Sequence, residues 1–321
     1  MAYYRDAGLA GWVRDTLAQQ TIDASVVFSS AMAQYAPSGL PMLVDFVDLD
    51  SAKWSQYADS RPWPLSWLYR REGARLLDFE RKVAARAQHS FFVTPQETQL
   101  FQQRAAECSG RVEALGNGVD AGYFTADPER ASPYAHSEPT LVFTGAMDYW
   151  PNVDAVVWFC GEALPALRQR WPRLQFVIVG RNPTPAVQAL AGDAVAVTGT
   201  VPDVRPYLQH AVLVVAPLRI ARGIQNKILE AMAMGKAVVA TAECAHAIGA
   251  REGVEMFTAA EAAAFVAQVD ALLHDPSRVA AAGVAARDKV LRNFSWEAHL
   301  SGIDRHLTSF SLATALPAPA C

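Results

Sequence analysis

Hydrophobic residues along the chain fall into short, nearly continuous runs separated by longer stretches with helical spacing. Runs at Ala24–Phe28, Met42–Phe46, Phe91–Val93, Leu141–Phe143, Phe176–Val179, Val195–Val197, Val212–Ala216 and Ala237–Ala240 predict strands. They show little polar alternation, the pattern of parallel strands covered on both faces. Between them, Leu65–Ala87, Asn152–Trp171, Gln225–Met234 and Ala259–His274 read as amphipathic helices. Strands alternating with helices predict an α/β fold built on doubly wound parallel sheet.

Local chemistry marks the ends of several elements. Thr94-Pro95-Gln96-Glu97 combines an N-cap hydroxyl, a proline at the first helical position and a glutamate that closes a capping box. Asn152 and Ser295 are further N-cap candidates. Gly145, Gly180 and Gly199 each follow a predicted strand, where tight turns call for glycine. Gly116-Asn117-Gly118 is a turn signal, and the breaker-rich stretch that follows, to about Pro139, predicts a domain boundary. The segment before it holds fewer predicted strands than the segment after it.

The chain has 321 residues, which favours two domains at roughly 100–200 residues each. Its 51% apolar and 19% charged content is that of an ordinary globular protein. A net charge of −4 argues against nucleic acid as a partner, which calls for a basic footprint. Cys108, Cys160, Cys244 and Cys321 form no CxxC pair, so neither a zinc ribbon nor a disulfide framework is expected. No run reaches the ~20 apolar residues of a membrane span, and the start lacks a signal-peptide core, so a cytoplasmic location is expected. Neither a G-x-G-x-x-G nor a Walker A loop occurs, which argues against nicotinamide dehydrogenases and P-loop kinases.

The segment Val212–Thr241 carries the most chemistry. A buried strand ends at Pro217, a loop carries Arg219, Arg222 and Gly223, and a helix starts near Ile224–Asn226. That places a helix N-terminus at the carboxyl edge of a parallel sheet, where α/β folds bind ligands. Free amides and the macrodipole favour a phosphate there. Gly223 permits close backbone approach, and Arg219 and Arg222 supply positive charge. Lys227 and Glu230, three apart, share one helix face. The lysine suits a phosphate oxygen and the carboxylate suits a ribose diol, although a surface ion pair fits the same spacing. Asp45, Asp48 and Asp50 invite a metal reading, but their spacing fails an EF-hand loop, and capping of the following turn explains them equally.

ILEAMAMGKAVVA, with Glu230, resembles the donor-site signature of retaining glycosyltransferases of the GT-B fold, family-4 type. In that signature a first glutamate precedes the second by eight positions. Arg222 stands there instead, a departure from the pattern. A subgroup with an NK-x-x-E pattern is matched by Asn226-Lys227-Ile228-Leu229-Glu230. SSAMAQYA, VDFVDLDSAKWSQYA, NGVDAGYF, FTGAMDYWPNVDAVVWF and VTGTVPDVRPYL extend the resemblance to the sugar transferases of PEP-CTERM/exosortase exopolysaccharide loci. Ala245-His246-Ala247 departs from the Glu-Gly usual in that subgroup.

The resemblance implies two facing Rossmann-like domains, the first incomplete by about three strand–helix units, so that the chain would be a fragment or a truncated product. The expected division is 1–120 as the acceptor-side domain, 121–138 as linker, 139–294 as the nucleotide-sugar-binding domain, and 295–312 as a helix crossing back. The implied activity is retaining, metal-independent hexosyl transfer in exopolysaccharide or surface-glycan synthesis. No cofactor is expected beyond the nucleotide-diphosphate sugar, which is the donor substrate. Arg222 and Lys227 are the expected catalytic cations. Gly145, Asp148, Arg219, Gly223, Ile224, Gln225, Asn226 and Glu230 are the expected donor-binding residues, and no metal ligand is expected.

A nucleotide-sugar epimerase of the same fold and a catalytically dead binding fragment are the alternatives. The acceptor would be a glycan or a lipid-linked glycan. The aromatic–basic cluster Trp63, Trp67, Tyr69, Arg70 and Arg71 fits peripheral contact with the cytoplasmic membrane face, or a buried helix face with solvated arginines.

Overall fold

In the computed structural model, residues 4–59, 62–135, 137–220 and 223–315 are described, with side chains to residue 310. They form two compact units, residues 1–116 with 300–321, and residues 117–299. Residues 121–138 fall within the second unit. The last helix starts in the second unit and from Leu300 onward belongs to the first.

The first unit carries strands β1 (Ser25–Phe28), β2 (Met42–Val47), β3 (His89–Phe92) and β4 (Val112–Ala114). They lie in that order as an all-parallel sheet. Its helices are α1 (Ala7–Gln19), α2 (Asp50–Asp59), α3 (Leu65–Arg86) and α4 (Pro95–Arg104). The core joins Val44, Phe46, Val83, Phe92 and Phe101. Phe46 and Phe92 stack at 4.9 Å. Thr94 caps α4 through its hydroxyl, which accepts from Glu97 N at 3.1 Å. The Glu97 carboxylate accepts from the Thr94 hydroxyl and from Leu49 N, both at 3.2 Å.

The acidic triplet of β2 and its following turn is structural. Asp45 Oδ1 accepts from Val47 N at 2.9 Å, holding a left-handed valine where the register of β2 against β3 shifts. Asp48 and Asp50 both pair with Lys53, at 2.5 and 3.4 Å.

The second unit holds β5 (Thr140–Thr144), β6 (Gln175–Val179), β7 (Val195–Val197), β8 (Leu213–Ala216), β9 (Val238–Ala240) and β10 (Phe257–Thr258). The parallel order is β10-β9-β8-β5-β6-β7. The chain builds outward from β5 on one side, then returns to lay β8 on the other side. That makes the β5/β8 junction the topological switch point. Leu141 pairs with Leu213 and Val142 with Val214 across it. These strands are buried on both faces, as their unbroken apolar runs predict.

The helices of this unit are α5 (Trp150–Trp158), α6 (Leu164–Arg170), α7 (Pro185–Gln188), α8 (Arg205–His210), α9 (Asn226–Ala233), α10 (Ala242–Ile248), α11 (Ala262–Leu273) and α12 (Pro276–Asn293). The single helix expected over Asn152–Trp171 is two helices joined by a π-helical turn, Phe159–Ala163. α13 (Trp296–Ala315) is capped by Ser295, whose hydroxyl accepts from Ala298 N at 3.2 Å.

Close packing of α9 on α12 positions the region of interest. A Cβ on Gly283 of α12 would stand 2.0 Å from the Gly235 carbonyl oxygen just beyond α9. Arg287 of α12 donates to the Ala233 carbonyl at the C-terminal end of α9, where a cation also complements the helix dipole. Gly283→Ala should therefore destabilise the protein by about 1–3 kcal/mol through overpacking. Gly161→Ala, on a helical glycine with open space around it, should add about 0.5–1 kcal/mol. Denaturant unfolding of the two variants beside the parent checks both signs.

Candidate functional site

The loop after β5 and the loop between β8 and α9 both leave the sheet at the switch point. In open α/β sheets, ligands bind outside the carboxyl ends of the strands at this place. Strand burial fixes the positions of both loops, so the residues they carry converge without any need for contact in sequence.

Lys227, in the first turn of α9, is central. Its ammonium donates to Asn152 Oδ1 and lies 4.9 Å from the centroid of the Phe143 ring. Asn152 is buried in α5, and its Nδ2 donates to the Ala146 carbonyl at 2.8 Å. Asn152 is thus not the helix N-cap expected from sequence. Tyr149 holds that position, and Asn152 faces back into the β5–α5 turn. Lys227 is consequently no solvated surface cation. Burial pushes its pKa down to about 8, only partly offset by Glu230 and Cys244. The helix dipole also disfavours a cation at this end. A half-buried ammonium held beside helix-terminal amides is a site of surplus positive potential, suited to an anion.

Gly145 closes the other side. Its Cβ position would lie 2.7 Å from Asn152 Nδ2 and 3.2 Å from Lys227 Nζ, so a side chain would occupy the approach to the ammonium. Gly180, after β6, backs it. A Cβ on Gly180 would meet the Gly145 carbonyl oxygen at 1.6 Å. These two glycines let neighbouring strand ends nearly touch.

Glu230 is half-buried one turn along the helix from Lys227. Burial raises its carboxyl pKa, and Lys227 opposes that rise. Among the described residues none hydrogen-bonds this carboxylate, so its oxygens are available to a diol. Gln225 holds the N-cap position of α9, and Ile228 N and Leu229 N donate to its carbonyl. Helix geometry leaves the amides of Asn226 and Lys227 outside the intrahelical pattern. Gly223 adopts the left-handed conformation, φ 62°, that turns the loop into α9. Ile224 packs on the core beneath. Asn226 is exposed, and its Oδ1 accepts from Asn117 Nδ2 at 3.1 Å.

Arg219 and Asp148 have partners within the protein. Arg219 forms a two-pronged ion pair with Asp154, at 3.0 and 2.5 Å, and lies over the Trp158 ring. Asp148 is exposed and accepts from Asn182 Nδ2 at 2.9 Å, which lowers its pKa. Arg222 lies outside the described residues. His246 is exposed on α10. Sequence reasoning missed Gly180 as a site-shaping residue and Asn152 as the partner of Lys227. Gly180 carried a signal, since it follows a strand just as Gly145 does. Nothing in the sequence pairs position 152 with position 227.

Residues 138–275 match the family described as Glycosyl transferases group 1. Comparison with curated protein sequences returns no match. Among solved structures, the chain is similar to HepE from Anabaena in complex with UDP, at TM-score 0.70 and 15% identity, covering 94% of this chain and 82% of that one. It is also similar to sucrose-phosphate synthase from Thermosynechococcus elongatus (TM-score 0.65, 17% identity, 95% and 77% covered). A third is the UDP-forming α,α-trehalose-phosphate synthase from Burkholderia vietnamiensis (TM-score 0.66, 13% identity, 97% and 78% covered). The fold is the α/β, parallel-sheet fold of GT-B glycosyltransferases.

The Asn152–Lys227 bond predicts strong energetic coupling. Asn152→Ala leaves a half-buried ammonium without its acceptor and should cost about 1–3 kcal/mol. In the Lys227→Met background the same change should cost clearly less. A double-mutant cycle by denaturant unfolding measures the difference.

Proposed function

We propose that this chain is a glycosyltransferase that moves a hexosyl group from a nucleotide-diphosphate sugar, bound at the β5/β8 switch point, to a glycan or lipid-linked acceptor. The observation that carries this reading is the half-buried Lys227 ammonium, set between the Gly145 turn and the first amides of α9. The match of residues 138–275 to a glycosyltransferase family, which spans this whole site, supports it. HepE was determined with UDP and with UDP-glucose, which favours a uridine diphosphate donor.

In this reading the diphosphate lies against the α9 amides and Lys227, with Arg222 adding charge. Glu230 accepts hydrogen bonds from the ribose hydroxyls. Gly145 leaves room for the sugar-bearing phosphate, and Asp148 bonds a sugar hydroxyl once it exchanges its Asn182 partner. The bond from the anomeric carbon to the diphosphate oxygen breaks as charge builds on the leaving group. Preorganised cations and amides stabilise that charge without solvent reorganisation. The acceptor oxygen bonds on the same face, and its proton passes to the departing diphosphate. Configuration is retained, and no metal ion or cofactor is required by this scheme. The product belongs to exopolysaccharide or surface glycan.

Lys227→Ala should lower kcat by about 10²–10³-fold, the usual effect of deleting one preorganised charge-stabilising group. Activity should also fall as pH rises through about 8, because the lowered pKa means the cation is present below that value and lost above it. Transfer assays with UDP-sugars, product anomers read by NMR, check both. A donor epimerised without transfer, or bound without turnover, would overturn the transferase reading. Arg222→Ala should weaken UDP binding measured by calorimetry, and unchanged affinity removes Arg222 from the site.

A lipid-linked acceptor would suit an exposed aromatic patch of the first unit. Trp63 and Trp67 are 80% and 58% exposed, with Leu65 and Leu68 exposed beside them and Arg70 and Arg71 following. This face is not the buried helix surface that was the alternative, and it suits peripheral contact with an anionic cytoplasmic leaflet. No helix among the described residues is long and apolar enough to cross a membrane. Vesicles containing phosphatidylglycerol should co-sediment the protein, and Trp63→Ser/Trp67→Ser should release it. Equal sedimentation of both forms would dismiss the contact.

A further inference from the structure

The first unit contains a cluster that the transfer chemistry does not use. His89 opens β3, Glu113 lies on the neighbouring β4, and His306 comes from α13. Phe91 pairs with Glu113 in the parallel register, so His89, two residues earlier, points to the same sheet face as Glu113. α13 lays His306 on that face, its ring stacked on His89 at 4.0 Å and edge-on to Phe91 at 5.8 Å. The Glu113 carboxylate is 2.8 Å from His306 Nε2 and 3.3 Å from His89 Nε2. One ligand atom from each residue lies within 4.8 Å of the other two.

Hydrogen bonding alone leaves this cluster unsatisfied. The carboxylate engages His306, while His89 Nε2 is buried and has no hydrogen-bond partner, since its approach to Glu113 lacks bonding geometry. His89 Nε2 is thus left buried and without a hydrogen bond among the described residues, beside a carboxylate and a second imidazole.

We propose that His89, Glu113 and His306 form a binding site for a divalent zinc ion that clamps α13 to the sheet of the first unit. A tetrahedral zinc with bonds of about 2.0–2.1 Å sets its ligand atoms about 3.3 Å apart; the His89–Glu113 separation is 3.3 Å, and the hydrogen-bonded His306–Glu113 separation of 2.8 Å would lengthen when the ion replaces the proton. The third edge, between the two imidazoles, lies within 4.8 Å. Two imidazoles and one carboxylate select zinc over magnesium or calcium, which prefer all-oxygen shells. Glu113 is half-exposed, which leaves an entry path and room for water as the fourth ligand. The role is structural, and it stands independently of the transferase reading.

The test is titration of the full chain, stripped with EDTA, with zinc chloride at pH 7.5, followed by calorimetry and thermal unfolding. One equivalent should bind saturably and raise the unfolding midpoint, and magnesium chloride should do neither. At pH 5.5 affinity should fall at least tenfold as protons compete for the imidazoles. His306→Gln and Glu113→Gln should lose the saturable equivalent and the midpoint rise. Absence of saturable uptake, or an undiminished equivalent in both variants, would overturn the site. A cobalt-loaded sample of the parent gives a readout independent of variant folding. Ligand-field bands without thiolate charge transfer support the site, and a thiolate band assigns the metal to cysteine and overturns it.

Discussion

The arrangement in the second unit depends on holding a lysine ammonium where the protein has removed most of its water. Lys227 is kept there by one amide oxygen, from Asn152, and by the face of Phe143. Neither neutralises it. The dipole of its own helix opposes it, and the carboxylate of Glu230 only moderates the cost. Local imbalance of this kind is expected where an incoming anion completes the electrostatics, since a fully satisfied site gains little from a ligand.

The surrounding architecture serves that imbalance. The Gly145 turn leaves the ammonium accessible, and Gly180 keeps that turn pressed against the next strand end. On the other side, the fit of α9 against α12 through Gly235 and Gly283, together with the Arg287 cap, fixes the helix from its far end. The first turn of α9 is therefore presented by a rigid body, while the Gly223 loop supplies the bend. Arg219, an expected ligand contact, is paired within the protein. Its pairing with Asp154 and Trp158 ties the β8–α9 loop to α5.

The first unit follows a different logic. Its sheet of four strands is held by a smaller aromatic core, and its polar clusters are local. Asp45 stabilises a strained valine, Lys53 gathers Asp48 and Asp50, and the histidine–glutamate cluster joins the last helix to the sheet. The exposed tryptophans preceding and opening α3 are a surface feature that apolar periodicity alone does not distinguish from core.

Much of this was readable from local pattern. Among the described residues, unbroken apolar runs place eight of the ten strands, because strands buried on both faces leave no polar positions to confuse them. The two missed strands, β4 and β10, lack an apolar run: β4 is Val-Glu-Ala with its last two residues exposed, and β10 is Phe-Thr. Thr94 and Ser295 reveal themselves as caps because capping is chemistry between near neighbours. The helix carrying Lys227 and Glu230 is likewise local. Three-dimensional proximity is what the sequence does not contain. The order of β5 beside β8 brings positions 145, 152 and 227 together, and nothing in the chain between them encodes that distance. Asn152 reads as a cap and becomes a ligand of Lys227, while His89, Glu113 and His306 are scattered residues until α13 lays one against the others. Local propensity sets the elements, whereas burial of both sheet faces sets their order, and the order decides which side chains meet.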